Sequence, residues 1–289
     1  MKSIYFISVL LTAFSLTSCD QFAGPDDGGD PFDMRNRALK TGLLHTADSL
    51  LNEYDGKVTG FFSILRHGAF STIELNGELG FGERNNTAIA VVRDPVTETG
   101  IDMGEVFIDG TPLEKLEDED FGVFYILSSR FSIDSGDGFP YDYQPDHQYH
   151  FEATGADNFD PFELTLNAPD DLAVTSPENG EHIFLTDDLT IEWNGEHEAV
   201  TVRLIPHREF AGGVQIFTGH AYENTVENPA GSITIPSDEL VKHFEAIDDD
   251  FTHIACDLQT TLFDEAYVDE RGILAIVNVQ DAITLEVVE

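Results

Sequence analysis

The 289-residue chain carries 55 Asp and Glu against 14 Lys and Arg, a formal charge of −41 at pH 7. A surface of that sign repels phosphate backbones and anionic headgroups, which excludes nucleic acid as a partner and leaves phosphate binding only to a local basic pocket. The acids are spread along the whole sequence, so the charge belongs to folded domains. Its self-repulsion is relieved where salt shortens the Debye length from about 10 Å at 0.1 M to about 3 Å at 1 M; adaptation to a saline exterior is the expectation, with calcium loading as the competing reading.

The first residues hold one cation, Lys2, an uncharged stretch from Ile4 to Phe14, and then the small and polar residues Ser15, Thr17 and Ser18 before Cys19. This is the layout of a secretory signal peptide, too short for a permanent transmembrane helix of about 20 residues. Leu16-Thr17-Ser18-Cys19 resembles the bacterial lipoprotein signal, the lipobox: an aliphatic residue, two small ones, and a Cys. The resemblance implies cleavage before Cys19 and attachment of acyl chains, palmitate among them, to Cys19 as a membrane anchor. Each buried methylene adds roughly 0.8 kcal/mol of membrane affinity, so two or more chains hold essentially permanently. Cleavage removes one basic residue and no acid, leaving a mature charge of −42. The acids close behind Cys19 fit the export signals of some lineages, whereas Asp20 alone fits inner-membrane retention in enteric bacteria. The expectation is therefore a lipid-anchored protein of the cell envelope, in the outer membrane and facing outward rather than toward the periplasm.

Residues 19–33, "CDQFAGPDDGGDPFD", have almost nothing to bury and read as a disordered tether. Over 34–55 the apolar residues Leu39, Leu43, Ala47, Leu50, Leu51 and Tyr54 recur at spacings of three and four, which predicts an amphipathic helix with a potential break at Gly42.

Residues 56–168 alternate strand-like runs with turn signals. Asn76-Gly77 and Asp109-Gly110 sit between alternating apolar residues, the hairpin signal in which both central residues need positive φ. "TAIAVVRD", "FGVFYILSS" and "HQYHFEATG" add strands, which together predict a β-sandwich-like domain. A break with Pro169 and Pro177 precedes a second domain, 169–289. Its strands are "LTIEWNG", "AVTVRLIP", "GSITIP", "HIACDLQTTL", "GILAIVNV" and "AITLEVVE". One helix interrupts them, with Ser237 as N-cap, Asp238 and Glu239 at its positive end, and Leu240, Val241, Phe244 and Ile247 as its apolar face. The fold class is all-β: two β-sandwich domains behind a signal peptide, a tether and one short N-terminal helix. The order "SPENG", "LTIEWNG", "VTVRLIP", "SITIPSDEL", carried by Pro177, Gly180 and Trp193, resembles the bacterial immunoglobulin-like or fibronectin-III-like modules of surface lipoproteins. That resemblance implies a seven-strand sandwich over 171–289, without the inter-sheet disulfide of antibody domains.

Candidate sites are few. No Gly-x-Ser-x-Gly elbow, zinc helix, phosphate loop or Cys/His zinc spacing occurs, so no cofactor is expected and the chain reads as non-enzymatic. A calcium site is the candidate at "DSGDG" and the acids downstream of it, with Asp134, Asp137 and Asp142 as ligands; Gly136 and Gly138 depart from the EF-hand pattern. His147 and His150 form an H-x-x-H whose rings would point to opposite strand faces. Trp193, alternating with Ile191 and Leu189, is expected in the core, and Cys256 on a half-buried strand behaves as a small hydrophobe. Tyr141, Tyr143 and Tyr149 make the one aromatic-rich segment fit to stack on a sugar. Three functions stay open: β-sandwich modules held at the membrane for binding or structural support, with an envelope protein or polysaccharide partner; glycan capture; and an extracytoplasmic hydrolase assembled from scattered Asp, Glu and His.

Overall fold

The computed structural model describes residues 58–67, 85–94, 96–97, 99–118, 122–128, 143–157, 159–210, 213–216, 221–227, 230–244, 247, 251–268 and 271–288. Cys19, the tether, the helix expected over 34–55 and the Asn76-Gly77 turn lie outside these residues. In chain order the strands are β1 (Val58–His67), β2 (Asn85–Val92), β3 (Val106–Ile108), β4 (Thr111–Pro112), β5 (Glu114–Asp118), β6 (Gly122–Ser128), β7 (Gln148–Ala153), β8 (Phe162–Asn167) and β9 (Val174–Ser176). They continue as β10 (His182–Ile183), β11 (Leu189–Trp193), β12 (Ala199–Phe210), β13 (Gly213–Ile216), β14 (Tyr222–Glu227), β15 (Ser232–Ile235), β16 (His253–Val268) and β17 (Arg271–Val287), with one helix, α1 (Ser237–Phe244), between β15 and β16.

The described chain is all-β with its sheets stacked as a sandwich. A ten-stranded sheet runs β13-β12-β16-β17-β1-β2-β6-β5, with β14 also on β12 and β10 on β17. A three-stranded sheet, β15-β11-β9, and a four-stranded sheet, β4-β3-β7-β8, complete the layers. The expected division at 168/169 is crossed by the large sheet, because β1 pairs in parallel with β17 from Val58↔Gly272 to Arg66↔Val279. A parallel pair needs a long connection and burial on both faces. Nearly the whole chain separates β1 from β17, and both strands are buried on both faces.

One apolar cluster joins the three sheets. Phe62 and Ile64 of β1, Val202 and Leu204 of β12 and Val277 and Val279 of β17 meet Phe151 of β7, Ile191 and Trp193 of β11. Phe62 packs edge-on against Phe151 and Phe162 at centroid distances of 5.5 and 5.1 Å, geometry that the ring quadrupole favours. Strand β11 alternates buried and exposed residues along its five positions, as its sequence requires. Helix α1 buries Leu240 and Phe244, with Asp238 and Glu239 in the first turn and Lys242 and His243 in the last, a charge order that complements the helix dipole.

Local turn chemistry fixes the hairpins. Asp109 and Gly110 take φ of 48° and 74° between Ile108 and Thr111, which closes β3 on β4 as expected. The sequence suggests two strands, "GILAIVNV" and "AITLEVVE", separated at the polar pair Gln280-Asp281. Instead β17 runs unbroken for 17 residues against β16. The polar pair stays in the strand because distant groups satisfy it: the Gln280 amide donates to Asp257 Oδ1 at 2.6 Å, and Asp281 Oδ2 accepts from the Val174 amide at 2.9 Å.

Candidate functional site

The second face of the large sheet differs from the first. Residues that alternate with the apolar ones on β12, β16 and β17 include Thr201, Arg203, His207, Asp257, Gln259, Asn278 and Gln280, all of them buried. Register aligns them into rows, with Arg203 opposite Asp257, Thr201 opposite Gln259, and Gln259 opposite Gln280. Burial of charge is costly unless partners compensate it, and partners are present. Arg203 Nε and Nη2 lie 2.7 and 2.5 Å from Glu223 Oε2, whereas Arg203 Nη1 stands 3.9 Å from Asp257 Oδ2. Glu223 is thus the tight partner, and Asp257 leans on the Gln280 amide. Burial pushes the Asp257 carboxyl up to about 6, against the opposing pull of Arg203 and of the Gln280 hydrogen bond.

This row can exchange a proton near neutral pH and hold a cation between two carboxylates. It is the strongest cluster of perturbed groups among the described residues, a pattern that functional sites share with structural ion pairs. Sequence reasoning missed it, taking Asp257 for the polar side of a half-buried strand. The available signal was the polar periodicity itself: Arg203 in "VTVRLIP", Asp257 in "ACDLQ" and Asn278 and Gln280 in "NVQD" occupy the positions between apolar ones.

Of the residues nominated by sequence, Asp134, Asp137, Tyr141 and Asp142 lie outside the described residues. Tyr143 and Tyr149 are 7% and 1% exposed. The Tyr143 hydroxyl donates to the Pro169 carbonyl at 2.6 Å, and the Tyr149 hydroxyl accepts from the Gln144 amide at 2.7 Å. A sugar platform needs an open ring face, so these two rings serve the core. Trp193 is 5% exposed, in the core as expected. Cys256 is fully buried with its thiol pushed up by burial, the state of an inert hydrophobe.

His147 and His150 meet at one residue rather than one metal. The His147 ring lies 2.9 Å from Asp109 Oδ2 while the His150 backbone amide donates to Asp109 Oδ1 at 2.8 Å. The His150 ring is 3.9 Å from Glu163. Among the described residues no group of three or more His, Cys, Asp or Glu is arranged to hold a metal ion, and no helix is long and apolar enough to cross a membrane.

No family model matches the chain, and no curated protein matches it. Among solved structures it is similar to the fibronectin(III)-like modules of CbhA from Clostridium thermocellum, at 11% identity over 81% of this chain and 92% of that one, with a TM-score of 0.20. A likeness of that size carries no argument, and the all-β class rests on the sheets themselves.

Proposed function

We propose that this chain is a lipid-anchored, non-enzymatic protein of the bacterial cell envelope, whose β-sandwich body is held by a lipid anchor at Cys19 for binding or structural support. The observation that carries the reading is the junction "LTAFSLTSCD", where a short apolar run ends in small residues and a cysteine, with an acidic, Gly/Pro-rich stretch behind it. A stacked all-β body behind such a junction is a scaffold of the kind that surface modules use, although a scaffold by itself names no ligand. The formal charge of −41 supports a saline exterior as its working medium.

The glycan-capture reading loses two of its three aromatic candidates to the core. A protein partner in the envelope is the better proposal. Expression of the wild type and of Cys19→Ala in a bacterial host, then detergent-phase partition and protease treatment of intact cells, tests the assignment. Anchoring predicts a detergent-phase wild type and an aqueous variant; surface display predicts digestion of the wild type without opening the outer membrane. An aqueous-phase wild type contradicts the anchor, and protection on intact cells contradicts display.

A further inference from the structure

Strand β12 is held differently along its length. One edge pairs with β14 over Ala199–Leu204 and with β13 over His207–Phe210, and the other pairs with β16 only from Thr201 to His207. The rung His207↔His253 is therefore the last between β12 and β16, and the arm made by the end of β12 and by β13 continues past it.

The two imidazoles stack at that rung, with ring centroids 5.3 Å apart and planes 19° from parallel. His207 is fully buried, and burial, with the neighbouring His253 ring as the lesser cause, pushes its pKa down to about 4. The titratable groups that face the pair from described elements are Glu286 of β17, in register with His253, and His182 of β10. Glu286 is one strand further from His207 and lies 2.8 Å from the His182 ring, which engages it already. On the remaining sides stand neutral groups: the Thr252 hydroxyl, 2.8 Å from His253 Nδ1, Ile216 opposite His207 on β13, and the buried Ile205 and Ala255.

We propose that the His207–His253 rung is an acid-sensitive latch, which holds the β12–β13 arm against β16 while both rings are neutral and releases it when His207 takes a proton. A proton on His207 places a charge out of reach of water and against a second basic ring, and opening the arm exposes the ring to solvent. The closed arm binds fewer protons than the open one between pH 4 and 6.5, so opening gains as pH falls through that window.

The test is hydrogen exchange on the whole chain, read as protection factors of amides 205–216 relative to those of 273–279 in the middle of β17. The latch predicts that this ratio falls by up to about a hundredfold in the wild type between pH 6.5 and 4.5. In His207→Phe, which keeps a ring and loses the proton, the ratio stays flat, and in His253→Phe it falls less steeply. A flat wild type, or a His207→Phe variant as steep as the wild type, overturns the proposal. Should His207→Phe fail to fold, an NMR titration of the wild-type imidazoles decides. The latch predicts a His207 ring that stays neutral until the arm amides lose protection; titration near pH 6.5 with those amides still protected overturns it.

Discussion

Gln280 donates a 2.6 Å hydrogen bond to the carboxylate of Asp257 from the neighbouring strand of the long β16–β17 hairpin, and both side chains are buried. The bond explains how β17 passes through a polar dipeptide without breaking, and it leaves Asp257 a buried acid with a distant cation. Its folded pKa of about 6 lies above the unfolded value near 4, so the native state binds the extra proton and stability falls as pH rises from about 4 to about 6. Asp257→Asn keeps the oxygen that Gln280 needs and removes the charge. The variant should match the wild type at pH 4 and exceed it by about 1–3 kcal/mol at pH 7.5, read by urea unfolding at both values. A variant less stable than the wild type at pH 7.5 would show Asp257 to be a necessary partner of Arg203.

Two glycines separate the need for a backbone angle from the need for space. Gly110 has φ of 74° and nothing within 4 Å of where a Cβ would sit. Gly100 faces Gly122 in an isolated bridge, and its Cβ would lie 2.1 Å from the Val123 carbonyl oxygen. Gly110→Ala should cost only about 1–2 kcal/mol, the left-handed penalty for an alanine. Gly100→Ala must move backbone and should cost more than Gly110→Ala. Thermal melts of the two variants side by side check the order.

The segment near the expected domain boundary is tied to β1 by side chains. The Arg66 guanidinium lies 3.0 Å from Asp171 and 4.9 Å from the centre of the Tyr143 ring, whose hydroxyl reaches Pro169. Tyr143→Phe keeps the ring under Arg66 and removes only the hydroxyl, so urea unfolding should show a loss of about 1–2 kcal/mol. A neutral result would mean that this bond adds nothing to the fold.

Trp193 is the one tryptophan, so its fluorescence reports the core directly. Emission should be blue-shifted in the native protein and unchanged by added oligosaccharides, and Trp193→Ala should cost about 3–5 kcal/mol. A native emission maximum at the position of a solvated indole would contradict the packing of β11.

What could be read from the sequence was local. The Asp109-Gly110 turn, the alternation that buries Trp193, the helix opening at Ser237 and the hydrophobic Cys256 each depend on a few neighbouring residues, and each is found. The β1–β17 pairing could not be read in that way, because hydrogen bonds between Phe61 and Leu274 rungs leave no mark on either local pattern. The same holds for Gln280 and Asp281, which look like a turn until Asp257 and the Val174 amide are brought to them. Arg203 and Asp257 were hidden for a related reason: alternation tells which residues share a face, and a polar face is read as wet unless something distant is known to cover it.

The most direct measurement of the anchoring claim is mass spectrometry of the N-terminal tryptic peptide from the membrane fraction of expressing cells. Lipidation predicts a peptide that begins at Cys19, ends at Arg35 and carries the added mass of acyl chains, with no peptide upstream of Cys19. An unmodified Cys19, or a mature chain beginning elsewhere, would contradict it.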